Sequence, residues 1–97
     1  VDGISLDKAN FVVRLDGEKL ELTTTEFKLL CLLLERRGRT LTREILLADV
    51  WGYQNALLDT RTVDTHMRRL REKLGPYSGR LETIRGEGYR FHAVAEG

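Results

Sequence analysis

Apolar and polar side chains alternate along the first 22 residues, in the segments ISL, NFVVRL and KLEL. Alternation at every second position is typical of strands that bury one face. Asp16-Gly17 separates two of these segments, and glycine readily takes the positive φ that a tight hairpin requires. The pattern therefore predicts a small antiparallel sheet in residues 1–22.

After this sheet the apolar positions change to a helical period. Residues 23–26, TTTE, match a capping box in which Thr23 is the N-cap and Glu26 reaches back to it. The following segment, FKLLCLLLE, is apolar nearly all round, which predicts a helix in a central, buried position. Gly38 is a suitable residue to end this helix.

Two more helices and a hairpin complete the predicted chain. The second predicted helix follows Thr42 and has the sequence REILLADVW, and the third has the sequence RTVDTHMRRLREKL. The last segment, GRLETIRGEGYRFHAV, is predicted to form two strands around the RGEG turn. This order predicts an α+β winged helix-turn-helix in one domain, residues 1–97. The three-helix core spans 23–75 and the wing 80–94. The connection between the second and third helices is longer than a tight helix-turn-helix turn.

The third predicted helix, residues 61–74, has two contrasting faces. Its apolar residues fall within a stripe about 60° wide that can pack on the core: Val63, Met67, Leu70 and Leu74. The opposite face is basic and polar, and contains Arg61, Thr65, Arg68, Arg69 and Glu72, with Thr62 at its edge. Asp64 lies between the faces, where we expect it to orient Arg68 and Arg71.

The charge distribution makes this face notable. The net charge is only +1, but residues 61–97 hold eight basic and five acidic side chains. Arginine has a planar fork that suits phosphates and the guanine edge, and Thr65 carries both a methyl and a hydroxyl group. From composition and pattern alone, nucleic acid and other binding partners remain equally open.

Other kinds of chemistry have little support in the sequence. Cys31 is the only cysteine and lies in an apolar run, so we expect a buried small hydrophobe, no disulfide and a cytoplasmic setting. The longest apolar run, residues 29–34, is too short to cross a membrane, and no signal peptide is apparent. His66 and His92 have no zinc-ligand spacing, and RGEG is not a phosphate-binding loop. We therefore predict no enzymatic activity, no metal and no cofactor. Because the sequence starts at Val1, we expect a fragment of a longer protein.

Three stretches together resemble a known family: LTTTEFKLLCLLLERRGRTLTREILLADVWG, DTRTVDTHMRRLREKL and ETIRGEGYRF. They are similar to the C-terminal DNA-binding (effector) domain of OmpR/PhoB-class two-component response regulators. With the N-terminal sheet, the resemblance covers nearly the whole chain. It implies a four-stranded N-terminal antiparallel sheet, three helices and a C-terminal hairpin wing. It also implies sequence-specific binding of double-stranded DNA for transcriptional regulation.

The resemblance assigns a role to each matching residue. The third helix would lie in the major groove and read bases through Thr62, Thr65, Arg68 and Arg69. The wing would place Arg85 in the adjacent minor groove. Contacts to the DNA backbone would come from Trp51, Arg61, His66, Arg71, Thr83, Gly86 and Tyr89. Two residues depart from the pattern, because Thr65 stands where many relatives have valine and Glu87 puts an acid at the wing tip.

The resemblance also implies partners. The receiver domain that carries the phosphoacceptor aspartate is not found in this chain; in the intact protein, phosphorylation would favour receiver dimerisation. Two effector domains would then bind tandem direct-repeat half-sites. The loop from Trp51 to Asp59 could contact the sigma subunit of RNA polymerase through Tyr53, Leu57 and Leu58, although anchoring of the loop in the core is an equal alternative.

Two further functions are open to this fold. A protein-interaction module could use the same surface, or dock a receiver domain on the acidic N-terminal sheet, and its binding would depend less steeply on salt. Binding of single-stranded RNA is not favoured, because no exposed aromatic stacking platform is apparent.

Overall fold

A computed structural model describes residues 3–52 and 60–92 of the chain. The elements in chain order are β1 (Ile4–Asp7), β2 (Val12–Leu15), β3 (Glu18–Leu20), α1 (Thr24–Glu35), β4 (Thr40–Thr42), α2 (Arg43–Trp51), α3 (Arg61–Leu74), a 3-10 helix (Gly75–Arg80), β5 (Leu81–Ile84) and β6 (Gly88–Phe91). The predicted α+β arrangement of sheet, three helices and hairpin is confirmed.

The N-terminal sheet is antiparallel, with the strand order β1-β2-β3. Asp16 and Gly17 form the predicted hairpin turn, with φ values of 53° and 89°, as a turn with two positive-φ residues requires. Within the described residues this sheet has three strands, where the resemblance implied four. The chain leaves the sheet after Leu20 because Thr23, three residues later, is the N-cap of α1.

The wing belongs to a second antiparallel sheet with the order β4-β6-β5. The hairpin of β5 and β6 is as predicted, whereas β4 was not predicted, because its last residue, Thr42, is also the N-cap of α2 and its pairing partner, β6, is distant in the chain. Gly88 pairs with Thr42 across β4 and β6. A Cβ atom at Gly88 would lie 2.0 Å from the carbonyl oxygen of Leu41, so only glycine allows this close approach of the strands.

Helix α1 lies at the centre of the core, as its apolar sequence predicted. The capping box is formed, because the Thr23 hydroxyl accepts from the Glu26 N–H and the Glu26 carboxylate accepts from the Thr23 N–H. Its buried apolar residues are Phe27, Leu29, Leu30, Leu33 and Leu34. Cys31 differs from expectation, since it is only half-buried beside an open groove, and burial raises the pKa of its thiol.

The buried acid Glu26 also joins α1 to α3. Only 2% of the residue is exposed, and its Oε1 accepts hydrogen bonds from Lys73 Nζ at 2.7 Å and from the Thr23 N–H at 3.0 Å. Burial by itself raises the pKa of this carboxyl, but the hydrogen bond and charge of Lys73 and the Thr23 N–H outweigh it. The pKa of Glu26 therefore lies below its ordinary value of 4.5.

Replacing Glu26 by glutamine should flatten the acid dependence of stability. A depressed folded-state pKa gives stability that is present above pH 4.5 and is lost as the pH falls through the folded-state pKa. We expect Glu26→Gln to lower the free energy of unfolding by about 1–3 kcal/mol at pH 7, since Lys73 and the Thr23 N–H would then donate to a neutral acceptor in place of a charged one. Urea unfolding at pH 7 and at pH 3 measures this change, and the two proteins should differ less at pH 3.

Glu72→Gln is the matched control, because Glu72 is exposed on α3 next to Lys73. It should lose as much stability on acidification as the unmodified protein. If Glu26→Gln did the same, Glu26 would not be a source of the acid dependence.

Helices α2 and α3 complete the core. The hydroxyl of Thr42 accepts from the Ile45 N–H at 3.1 Å and caps α2, as predicted. Helix α3 buries the predicted stripe completely, because Val63, Met67, Leu70 and Leu74 are each 0% exposed. It ends at Gly75, where φ is 56°, and Pro76 follows within the 3-10 helix.

Candidate nucleic-acid interface

The face of α3 opposite the core is exposed. Arg61, Thr65, Arg68 and Arg69 are exposed and Thr62 is half-buried, so the two faces predicted for this helix are confirmed. The Thr65 hydroxyl donates to the Arg61 carbonyl oxygen at 3.2 Å. Since a hydroxyl has one hydrogen, Thr65 presents its oxygen to a ligand as an acceptor in this conformation.

Three arginines on α3 and the wing have no partner in the part of the chain that the structure describes. Within residues 3–52 and 60–92, Arg68, Arg69 and Arg85 are exposed and make no hydrogen bond or ion pair. Arg43 and Arg90, in contrast, pair with Asp64 and Glu82. An exposed guanidinium that is not already paired can offer its planar fork to a phosphate or a guanine edge.

Asp64 has partners other than Arg68 and Arg71, which it was expected to orient. Its Oδ1 accepts hydrogen bonds from Arg43 Nε at 2.8 Å and from the Tyr89 hydroxyl at 2.5 Å. The Arg43 guanidinium also lies over the Tyr89 ring, 5.6 Å from its centre. Asp64 therefore connects α3 with the start of α2 and with β6.

Both hydrogen-bond partners of Asp64 have raised pKa values. The hydrogen bond to Asp64 raises the pKa of Arg43, although partial burial opposes the rise. Burial, followed by the hydrogen bond to Asp64 and its negative charge, raises the pKa of Tyr89 to about 12. The Tyr89 hydroxyl consequently remains a hydrogen-bond donor throughout the neutral pH range. Only 5% of Tyr89 is exposed, which leaves little of it for the DNA contact that the resemblance implied.

Arg71 makes a second connection between α3 and the wing. Its Nε donates to the Leu81 carbonyl oxygen at 3.2 Å, and its Nη2 donates to the Thr83 hydroxyl at 2.7 Å. The resemblance implied that Arg71 and Thr83 contact the DNA backbone. In the structure they contact each other, on an exposed part of the surface.

Trp51 and His66 meet where α2 approaches α3. Their rings are 5.1 Å apart in an edge-to-face arrangement, and His66 Nδ1 lies 2.8 Å from the Thr62 carbonyl oxygen. Both residues are half-buried, and Trp51 packs against the hydrophobic core. Each therefore has a packing role, and each keeps some surface for a partner.

The wing tip is an exposed turn. Arg85, Gly86 and Glu87 are exposed, the Glu87 N–H donates to the Ile84 carbonyl oxygen at 2.9 Å, and Gly86 has a φ of 79°. The predicted residues Tyr53, Leu57 and Leu58 lie outside the described residues. Arg43 was not predicted as part of the site, since no local pattern relates it to Asp64, 21 residues further along the chain.

Among the described residues, no three histidine, cysteine or acidic side chains are grouped so that they could hold a metal ion. Nor does any helix in residues 3–52 and 60–92 combine the length and apolar character that a membrane span requires.

The N-terminal sheet, the three-helix core and the wing define a winged helix-turn-helix domain of the OmpR/PhoB type. The chain belongs to the family described as "Transcriptional regulatory protein, C terminal", whose model matches residues 17–91. It is therefore a non-enzymatic effector domain of a response regulator.

Similar proteins and structures agree with this assignment. Response regulator ArlR of Staphylococcus saprophyticus is 46% identical over 91 residues, which are 92% of this chain and 41% of that protein, and ArlR of Staphylococcus aureus has the same identity and coverage. The chain thus spans about two fifths of the length of these curated relatives.

Solved structures show the same fold. The DNA-binding domain of CpxR from E. coli is 36% identical, with a TM-score of 0.82, over 98% of this chain and 95% of that one. The AdeR DNA-binding domain, solved in complex with an intercistronic region, is 28% identical with a TM-score of 0.84, over 97% of each chain. The Klebsiella pneumoniae RstA DNA-binding domain, in complex with the RstA box, is 34% identical with a TM-score of 0.81, over 95% of this chain and 93% of that one.

Proposed function

We propose that this domain regulates transcription by binding double-stranded DNA in a sequence-specific manner. The observation that carries the proposal is that Arg68, Arg69 and Arg85 are exposed and have no partner among the described residues, whereas Arg43, Arg71 and Arg90 have partners there. The complexes of the similar AdeR and RstA domains with an intercistronic region and the RstA box support it.

In this proposal α3 lies in the major groove and reads bases through Thr62, Thr65, Arg68 and Arg69. Arginine can bond to both O6 and N7 of a guanine, and threonine can contact the thymine methyl group or accept a hydrogen bond. The buried stripe of α3 fixes the helix on the core, so that the exposed face is presented rigidly.

The wing places Arg85 in the adjacent minor groove, where negative potential attracts arginine. The remaining contacts are to sugar and phosphate, and they position the domain without specifying sequence. We assign them to Arg61, Gly86, Trp51 and His66, and to whatever surface remains accessible on Arg71, Thr83 and Tyr89.

In the longer protein, we propose that the domain works in the cytoplasm with its own receiver domain in a two-component phosphorelay. Phosphorylation-dependent dimers would bind tandem direct-repeat half-sites, since linkage raises the effective concentration of the second domain. Tyr53, Leu57 and Leu58 are the residues that we propose for contact with the sigma subunit of RNA polymerase.

Selection of bound sequences from a random duplex library, followed by affinity measurements across a salt series, tests the proposed function. Enrichment of one short motif, with affinity that falls steeply as salt rises, is the expected result. A steep salt dependence without enrichment would indicate contact with the backbone only. Absence of binding at low salt would contradict DNA binding and favour a protein-interaction module.

Arg69→Ala is expected to weaken binding of the enriched duplex by about 1–3 kcal/mol and to relax base preference at one position, because it removes a two-bond contact to a base. Competition against duplexes with each single base change measures both effects. Arg61→Ala should instead weaken all duplexes to a similar extent, as loss of a phosphate contact does.

Arg14→Ala is the control for a general loss of positive charge, since Arg14 is an exposed arginine on β2 in the N-terminal sheet. It should leave both the affinity and the selected motif unchanged. An Arg69→Ala variant with the original motif and affinity would show that Arg69 reads no base.

A further inference from the structure

Two hydrogen-bonded contacts connect α3 to the same pair of residues in the wing. Asp64 accepts from the hydroxyl of Tyr89, and Arg71 donates to the hydroxyl of Thr83. Thr83 and Tyr89 are directly opposite each other in the antiparallel pair of β5 and β6. One cross-strand pair is thus held from two points on α3 that are seven residues, or about 10 Å, apart.

This cross-strand pair lies next to the wing tip. Arg85 follows Thr83 by two residues, and between the two strands there remain only the Ile84–Gly88 pair and the three residues of the turn. A short antiparallel hairpin moves as a unit with the pair from which it extends. The position of Arg85 relative to α3 therefore depends on how firmly Thr83 and Tyr89 are held.

The contact of Asp64 with Tyr89 is reinforced from a third element. Arg43, the first residue of α2, bonds to the same Asp64 oxygen and lies against the Tyr89 ring. Asp64 is a partly exposed acid on the helix that carries Arg68 and Arg69, where an unpaired negative charge would repel phosphate. Pairing with Arg43 offsets this charge while Asp64 keeps its contact with the wing.

We propose that Asp64, together with Arg43, is a positioning residue for DNA recognition. It holds the wing at the angle at which Arg85 reaches the minor groove while the exposed face of α3 occupies the major groove. The inference rests on the proposed function. It goes beyond that function by making the contribution of the wing dependent on a residue that contacts no base.

Simple electrostatics leads to the opposite expectation for the loss of Asp64. Removing an acid from the surface that faces phosphate should tighten binding, because one repulsive charge is lost and Arg43 is released. Positioning instead requires weaker binding, with the loss confined to the contribution of Arg85. The two accounts therefore differ in the sign of the effect.

A double-mutant cycle on the duplex enriched from the random library tests the inference. Affinities are measured at one salt concentration for the 97-residue chain, Asp64→Ala, Arg85→Ala, Arg69→Ala and the two doubles that contain Asp64→Ala. We expect Arg85→Ala to weaken binding about tenfold alone but less than about threefold in the Asp64→Ala background, as coupled residues do. Arg69→Ala should have the same fold effect in both backgrounds.

Tyr89→Phe repeats the cycle if Asp64→Ala does not fold, since it removes only the hydroxyl and keeps the buried ring. Glu82→Gln is the matched control, because it breaks an ion pair with Arg90 between the same two strands without touching α3. Its effect should add to that of Arg85→Ala.

Each other outcome is decisive. Full additivity of the Asp64 and Arg85 substitutions, or tighter binding by Asp64→Ala, would overturn the positioning role while leaving DNA binding intact. Failure of the unmodified chain to bind any duplex would overturn the proposed function, and the positioning role with it.

Discussion

Replacement of Gly88 by alanine is expected to destabilise the domain by about 3 kcal/mol or more, because the added methyl group meets backbone that cannot move aside. The new Cβ would lie 2.0 Å from the Leu41 carbonyl oxygen and 2.9 Å from both the Leu41 carbonyl carbon and Thr42 Cα. To relieve this clash, β4 would have to separate from β6, which is the central strand of the β4-β6-β5 sheet. Urea unfolding of the two proteins measures the change.

The damage from Gly88→Ala should extend to recognition. Tyr89, the residue that bonds to Asp64, follows Gly88 directly, so displacement of β6 also displaces this contact. Affinity for the enriched duplex should fall even at temperatures where the variant is still folded. If the far-ultraviolet circular dichroism of the variant keeps its helical signal while DNA binding weakens, the structural change lies in the wing.

Gly79→Ala is the matched control. Gly79 lies in the 3-10 helix before β5, and no atom outside its immediate neighbours comes within 4 Å of the position that an added methyl group would take. The substitution should change the free energy of unfolding by no more than about 0.5 kcal/mol, as surface substitutions usually do. Equal destabilisation by both substitutions would mean that the general loss of glycine flexibility, rather than the close approach at Gly88, is responsible.

The elements that could be predicted from the sequence have signals within a few neighbouring residues. Thr23 and Glu26 are three positions apart and form the predicted capping box, and Asp16-Gly17 forms the predicted turn. In strand β4 the local signal belongs to the next element, because Thr42 is the N-cap of α2. Its three residues form a strand because β6, almost 50 residues later, supplies the hydrogen-bonding edge, and only the folded chain brings the two together.

The candidate site also has a part that could be predicted from the sequence and a part that could not. The exposed face of α3 follows from a turn of about 100° per residue, so Thr65, Arg68 and Arg69 could be placed from the sequence alone. The partners of Asp64 could not, because Arg43 and Tyr89 are 21 and 25 positions away. Sequence spacing favoured Arg68, four residues along the helix, but the tertiary contacts of Asp64 prevail in the folded domain. The placement of DNA on these residues remains a prediction.

Leu70→Ala is expected to lower the free energy of unfolding by about 2–5 kcal/mol, since it removes buried methyl groups and leaves a cavity in a close-packed core. Leu70 is 0% exposed, and it lies on the stripe of α3 that packs against the rest of the hydrophobic cluster. Chemical denaturation gives the change directly. Below the unfolding transition, the affinity for the enriched duplex should change much less than the stability, because the exposed face of α3 keeps its residues.

Arg69→Ala is the natural counterpart, because Arg69 precedes Leu70 in the chain and lies on the exposed face of the same helix. It should change stability by no more than about 0.5 kcal/mol while weakening specific binding. Opposite effects of these two adjacent substitutions would establish that one face of α3 stabilises the fold and the other face recognises DNA. Substantial destabilisation by Arg69→Ala would instead mean that this arginine supports the fold, and base reading would then have to be assigned to Arg68 and the threonines.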